Sequence, residues 1–466
     1  MTRSDCRQLA TSATDQAEVD AFDAGFEQFL NYEMSAGNAI KAVLARYPES
    51  VSATILRGYM MMMLETSAVH AKVAGSAASA LESGWGNGRE RLHLQALRHW
   101  AAGDVRAAAA SWDRILADHP LDLLALKMHH YTTFWTGRAN VLLSAVDGVV
   151  DAWDESVPGY DHVLGMRAFA LNETGRYEQA EELGRQAVAL NDEDLWSIHA
   201  VAHALEMQGA LSAGDAFFAE FMSDDPSGQH RWQAKNPFVG HIWWHAALFP
   251  WNAGDYERVL QLYDERLRPT GTEFFLDLQN LSSLLARLEL SGVDVGDRWD
   301  ELGDHAASRI GDHVLTFTDV HCAMTLSRTG RRRDLTAFVE SLEQHRAGRP
   351  QGPDGVGLDV AIELCRGFER RAAADNEGAA EILLAVRGDL APIGGSHAQR
   401  DLFDLVLADT VVATGDHRLA ANLARARTRR WPNSVPTWRH YAKAAAALDD
   451  QAEVDRANRR AEEVVA

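Results

Sequence analysis

Residues 97–120 read LRHWAAGDVRAAAASWDRILADHP, and the glycine inside that stretch decides the fold. Gly103-Asp104 separates two amphipathic runs. Upstream, Trp100 and the leucines before it mark one helix. Downstream, Ala108, Trp112 and Ile115 mark the apolar stripe of a second, which Pro120 closes. A glycine and a polar residue between two helical stripes, with a breaker after the second, punctuate a helical hairpin.

Stepping outward by 34 residues reaches Gly137, after the aromatic run His129-His130-Tyr131-Thr132-Thr133-Phe134-Trp135. The same step joins Gly175 to Gly209, and Gly415-Asp416 to Asp449-Asp450. Ala180 and Ala187 are small where two helices of a hairpin must approach. A fixed period in this range is the signature of helical repeats. Gly254-Asp255 and Gly330-Arg331 fall out of register, so insertions are expected on both sides of Gly254. The first holds the loop formers Asp224-Asp225-Pro226-Ser227-Gly228 and Asn236-Pro237. Period-two alternation long enough for a sheet is absent. The expected fold is therefore all-α, an α-solenoid of tetratricopeptide-like helical hairpins. The glycine- and proline-rich run from Arg346 to Gly357 is read as a connector between lobes 1–345 and 358–466; no Lys-Ser/Thr follows it to make a phosphate loop.

Lysine and arginine total 45 against 67 aspartates and glutamates, a net charge of −22. Binding to a phosphate backbone needs a basic surface, so neither nucleic acid nor an anionic membrane is expected as a partner. The three cysteines, Cys6, Cys322 and Cys365, are far apart and form no CxxC pair, which fits a reducing cytoplasm. The N-terminus has no apolar core of a signal peptide, and the longest apolar run, near Tyr59 to Leu64, is far short of a bilayer span.

Chemistry concentrates at histidines. His199, His203 and Glu206 stand at i, i+4 and i+7, so they share one helix face. Two imidazoles and a carboxylate on one stripe suit a divalent metal with an open position, or a general acid and base. Ala200 stands where the catalytic glutamate of an HExxH metalloprotease would be. His241 and His245 form another i, i+4 pair beside Trp243 and Trp244. His162 with Asn172 and Glu173, and Asp319 with His321, are further ligand candidates. In the run Gly394-Gly395-Ser396-His397-Ala398-Gln399-Arg400-Asp401, the glycines could deliver His397 and Arg400 to a ligand, or Ser396 could simply cap the following helix. Singly, each histidine is more often a satisfied core residue, and the tryptophans more often packing.

These segments also carry a resemblance. Gly165 to Glu173, Trp196 to Met207, Trp243-Trp244-His245, Leu262-Tyr263-Asp264, Gly296 to Trp299, Asp319 to Met324 and Gly394 to Asp401 are similar to the tetratricopeptide repeat protein 38 family. The resemblance implies the helical repeat fold and no settled activity. It also implies that the groove-facing positions of each repeat are about the second, fifth, ninth and twelfth. On that numbering His199, His203 and Glu206 take the fifth, ninth and twelfth positions, and His241 and Trp244 of the next repeat the second and fifth.

Three functions compete. The first is binding of a small molecule or short peptide through His162, Glu173, His241, Trp244, Asp319, His321, His397 and Arg400. The second is an enzyme using His199, His203, Glu206 and His245 for hydrolytic or acid-base chemistry, with His199, His203 and Glu206 as ligands of a divalent metal ion. The third is an adaptor with a structural polar core. Imidazole and carboxylate flanked by tryptophan resemble an enclosed pocket more than a solvated peptide clamp.

Overall fold

A left-handed residue at the turn inside each hairpin lets its two helices run antiparallel. Gly103, Gly137, Gly175, Gly209, Gly254, Gly330 and Gly415 all stand between two helices with φ between 66° and 81°. A side chain there would meet the steric penalty of the left-handed region, which glycine escapes. In the Gly-Asp turns, the aspartate then starts the next helix. Asp104, Asp255 and Asp416 each accept the main-chain N–H three residues on, from Ala107, Arg258 and Leu419 at 3.0, 3.2 and 2.9 Å.

The computed structural model describes residues 3–222, 230–268, 274–349 and 355–465. The chain is an all-α repeat of tetratricopeptide-like hairpins in two compact units. Unit 1 comprises Met1–Ala204 and Asp224–Val239; unit 2 comprises Leu205–Ser223 and Gly240–Ala466. Unit 1 contains α1 (Gln16–Leu30), α2 (Ala36–Arg46), α3 (Val51–Met62), α4 (His70–Glu82), α5 (Gly88–Ala101), α6 (Val105–Asp118), α7 (Leu123–Trp135), α8 (Ala139–Asp147), α9 (Tyr160–Glu173) and α10 (Tyr177–Leu190). Helix α11 (Leu195–Gln208) begins in unit 1 and ends in unit 2. Unit 2 continues with α12 (Leu211–Ala219), α13 (Phe238–Ala253, whose first two residues group with unit 1), α14 (Tyr256–Leu262), α15 (Phe275–Leu290) and α16 (Asp300–Ser308). It ends with α17 (Thr316–Arg328), α18 (Arg332–Ala347), α19 (Val356–Ala372), α20 (Asn376–Val386), α21 (His397–Thr414), α22 (His417–Arg430), α23 (Val435–Ala446) and α24 (Gln451–Val465). Among the described residues the only sheet is a small hairpin, β1 (Arg3–Ser4) against β2 (Ala10–Thr11), with Arg3 opposite Thr11.

Packing within each unit follows from small residues at helix crossings and large ones between them. A Cβ on Gly165 would fall 2.2 Å from Ser197 Oγ, so α9 and α11 touch at that glycine. In unit 1, Trp112 is wholly buried between Tyr59 and Trp100, and its Nε1 donates to Tyr59 Oη at 2.8 Å. A buried indole needs that acceptor.

Some turns carry no glycine signal. Ala374, at φ 65°, joins α19 to α20, and Asp375 caps α20 by accepting Gly378 N–H at 3.0 Å. Of the expected loop formers, residues 224–228 lie outside the described residues, as do 350–354 of the expected connector. The chain first passes from unit 1 to unit 2 between Ala204 and Leu205, and α18 and α19, on either side of that connector, pack together within unit 2. Residues 230–237 lie against the end of α1. There Lys235 Nζ donates to the carbonyls of Asn31 and Glu193 at 3.0 and 3.2 Å, and Asn236 N–H donates to Tyr32 O at 2.6 Å.

Asp104 is an exposed cap with one clear hydrogen bond. Replacing it by Ala should cost about 1 kcal/mol of stability, while Asp104→Asn should stay near wild type. Urea unfolding followed by circular dichroism measures both.

Candidate functional site

Helix α11 is fixed at its start by Asp194. Its carboxylate accepts Trp196 N–H at 3.0 Å, Ser197 N–H at 3.3 Å and Ser197 Oγ–H at 2.6 Å. Burial pushes this carboxyl up, but His162, Lys127 and Ser197 outweigh it and hold the group at about 2. With its start pinned and Gly209 ending it, α11 turns Trp196, His199, His203 and Glu206 to one face. All four are buried.

In unit 1, the first helices of three hairpins, α7, α9 and α11, bring rings together. Phe169 of α9 sits 5.1 and 5.3 Å from the His199 and His203 rings and 4.8 Å from Trp196. His130 of α7 lies edge-on to Phe169 and Trp196. The Nε2 atoms of His199 and His203 are 3.0 Å apart. Two neutral imidazoles can be that close when one donates to the other, and a cation can also be shared between two such lone pairs. Phe238 packs on both Trp196 and His199, and Tyr32 stacks on Phe238, so this face is enclosed.

The same unit holds charged groups that sequence reasoning missed. Lys127 lies over the rings of Phe29 and Tyr32, with Nζ 3.4 Å from Tyr32 Oη. Burial drags its amine down to about 8, against the pull of Asp194 and Asp161. His130 is held well below the usual imidazole range by burial and by Lys127. Lys127 and His130 stand at i, i+3, a spacing visible in the sequence but hidden among aromatics. His162, an expected ligand residue, stands between two carboxylates: Nδ1 is 3.2 Å from Asp194 and Nε2 3.5 Å from Asp161. Glu173, on the same helix, is also buried.

In unit 2, α13 and α15 pair their inward faces. His241 Nδ1 meets Asn280 Oδ1 at 2.8 Å, and Trp244 Nε1 donates to Ser283 Oγ at 2.8 Å. A carboxamide oxygen only accepts, so with the Asn280 oxygen turned to the ring the matching His241 tautomer carries its proton on Nδ1. Trp244 stacks on His241 with centroids 5.3 Å apart, and the His245 ring is 4.7 Å from that of His241. His245 Nδ1 is 3.2 Å from Glu206 Oε2. Burial raises Glu206 to about 8, with Asp401 adding and Arg287 opposing, and burial lowers His241 to about 4.

The remaining expected residues separate. Asp319 and His321 do not act as a pair, because residues two apart on a helix point away from each other. Asp319 meets His313 Nδ1 at 2.9 Å, while His321 Nδ1 donates to Phe317 O at 2.8 Å and its ring lies against Phe317 and Phe403. At the start of α21, Ser396 and Gln399 form a reciprocal capping box. Arg400 bonds the carbonyls of Gly394 and Gly395, and its Nη2 is 3.4 Å from His397 Nδ1. Asp401 receives both terminal nitrogens of Arg427, each at 2.5 Å. Likewise Asp264 and Arg298, from two of the long motifs, form an ion pair. Several polar motif residues thus hold helix starts and the turns before them, and Asp401 with Arg427 joins α21 to α22.

Fold and side chains together define an all-α protein of tetratricopeptide-like hairpins with buried, histidine-rich inner faces. No family model matches the chain, so the resemblance to the tetratricopeptide repeat protein 38 family has no support from that comparison. Similar solved structures include a human IFIT1 dimer with PPP-AAAA, at 12% identity and TM-score 0.42, over 98% of this chain and 96% of that one. A monomeric IFIT1 mutant with Gppp-AAAA gives 13% and 0.40 over 97% and 96%. Naa15/Naa10 bound to HypK-THB gives 11% and 0.24 over 96% of this chain and 75% of that one. Superpositions this loose carry no functional argument, and they lend no support to the exclusion of nucleic acid, which rests on net charge alone. Among the described residues no helix is long and apolar enough to cross a membrane.

The buried lysine makes a signed prediction. Its folded-state pKa of about 8 is below its unfolded value, so between about pH 8 and about 10.4 the unfolded chain keeps a proton that the folded chain has lost. Its contribution to stability should therefore rise with pH through that window, the burial penalty being fully present below it. Lys127→Met should flatten this part of the profile in denaturant titrations at stepped pH. An unchanged slope would contradict the burial of the amine.

Proposed function

We propose that this protein binds a small molecule or short peptide on its histidine-rich inner helix faces, with a divalent metal ion held at the His199–His203 pair. The observation that carries the reading is the 3.0 Å approach of the two Nε2 atoms on one helix face. An i, i+4 histidine pair chelates a borderline metal such as zinc through two such nitrogens, leaving positions for other ligands. Within unit 2, His241 and His245 are proposed as ligand contacts on the α13–α15 face. Their Nδ1 atoms lie beside Asn280 and Glu206, acceptors that fix the orientation of an imidazole ring. In this reading Glu206 orients His245, and Trp244 walls the ligand. His162 and Glu173 in unit 1, and Asp319, His321, His397 and Arg400 in unit 2, are proposed ligand contacts on the inner face of their own unit. Membership of the tetratricopeptide repeat protein 38 family, two lobes at 1–345 and 358–466, and a cytoplasmic setting are parts of the same proposal.

Metal analysis of the purified protein, with melting of wild type and His203→Ala in zinc and in chelator, tests it. About one bound metal per chain is expected, with a melting temperature that falls on chelation in wild type and ignores chelator in the variant. Melting that ignores chelator in wild type, combined with a loss of about 1–3 kcal/mol in His203→Ala, would instead indicate a structural network around an unsatisfied buried group.

A second reading, an enzyme, is favoured by one observation. A carboxyl raised to about 8 beside an imidazole is suited to proton transfer near neutral pH. If Glu206 acts as a general acid, turnover should fall as pH rises through about 8, and Glu206→Gln should abolish that limb of the profile. A profile unaltered by the substitution removes Glu206 from the chemistry.

A further inference from the structure

Unit 2 contains a buried cation that the histidines leave unexplained. Arg287, on α15, is 1% exposed. Its guanidinium lies over Trp244 and Trp251, 5.4 and 5.8 Å from the ring centroids. Its hydrogen bonds go to main-chain carbonyls, Nη1 to Ser283 O at 3.3 Å and Nη2 to Ala398 O at 2.7 Å. Among the described residues it makes no ion pair.

The acids near it are engaged elsewhere. Asp401 attracts Arg287 through space, but its two oxygens hold Arg427, and Oδ1 also accepts Trp431 Nε1 at 2.7 Å. Glu206 attracts it through space as well, while its own contact is to His245. A guanidinium removed from water without a contact counter-ion is costly, and burial draws this one down to about 10. A buried charge held at that cost without a contact counter-ion is a candidate receptor for an anion.

A second, independent group points the same way. Asn280 stands two turns before Arg287 on the same face of α15, with Ser283 between them. Arg287 folds back onto Ser283 O, toward Asn280. The Asn280 carboxamide is 3% exposed; its oxygen meets His241, and its Nδ2 is buried without a hydrogen-bond partner among the described residues. The stripe thus offers a donor-only cation, an unsatisfied amide N–H group, and flat walls in Trp244 and His241. A cation and an amide N–H on one helix stripe, beside aromatic walls, suit recognition of a small planar or tetrahedral anion.

We propose that the inward face of α15, between Asn280 and Arg287, binds a small molecule through its carboxylate or phosphate group. This deepens the ligand-binding reading by naming the charged end of the ligand, and it rests on that reading but not on a metal.

The test is thermal melting of the full chain against acetate, succinate and inorganic phosphate, with sodium chloride at matched ionic strength as control. A saturable rise of about 3 °C or more is expected from a carboxylate or from phosphate, and the arm that responds identifies the group. Chloride should have no such effect. Arg287→Met keeps an unbranched side chain between the two indoles; it should fold, melt no lower than wild type without added anion, and lose the anion-dependent rise. Asn280→Leu should weaken the anion about tenfold. If no anion exceeds chloride on wild type, or if Arg287→Met retains the rise, the proposal is overturned. Should Arg287→Met fail to fold, an unchanged anion titration in Asn280→Leu overturns it equally. The same titration in His203→Ala separates the two readings: a retained rise supports the anion site even where the metal site has failed.

Discussion

An antiparallel helical hairpin needs one residue whose backbone enters the left-handed region, and that constraint governs the rest of this chain. Seven glycines meet it at φ of 66° to 81°. Where one is followed by aspartate, the same dipeptide ends one helix and caps the next, as at Asp104, Asp255 and Asp416. With direction reversed at these points, first helices return beside first helices. α7, α9 and α11 adjoin in unit 1; α13, α15, α17 and α21 touch one another in turn in unit 2. Inner faces therefore meet inner faces, and whatever those faces carry is buried together.

In this protein they carry imidazoles, carboxylates, an amine and a guanidinium. Burial then sets their proton affinities. Glu206 moves up to about 8, Lys127 down to about 8 and His241 down to about 4, each chiefly because the charged form is deprived of water. Asp194 shows the opposite balance, held near 2 because His162, Lys127 and Ser197 outweigh its desolvation. An interior of imidazoles and a few retained charges has few uses in plain packing, since apolar side chains would fill the space at lower cost.

The long polar motifs divide between two tasks. Asp401 with Arg427 ties α21 to α22, while Asp264 with Arg298 and Asp319 with His313 hold the segments that precede α16 and α17. His199 with His203, His241 with Asn280 and His245 with Glu206 lie on the inward stripes, where the last two pairs also join helix to helix. Sequence spacing reveals i, i+4 neighbours on one helix, but it cannot distinguish these tasks. Ser396 illustrates the ambiguity: a capping serine and a loop that delivers a ligand contact have the same residues in the same order, and the reciprocal bonds with Gln399 identify the cap.

Read alone, the sequence determined the all-α class, the hairpin turns and the shared face of His199, His203 and Glu206, because helix periodicity and the needs of a left-handed turn act over a few residues. It did not reveal the turn at Ala374, which has no glycine to mark it, nor the roles of Lys127, His130, Asn280 and Arg287. Those depend on partners distant in the chain: Lys127 on Tyr32, Asn280 on His241, Arg287 on Ala398. Only the tertiary structure decided which polar residues are satisfied by one another and which are not. Desolvation and hydrogen bonding are properties of the assembled neighbourhood, and no local pattern encodes them.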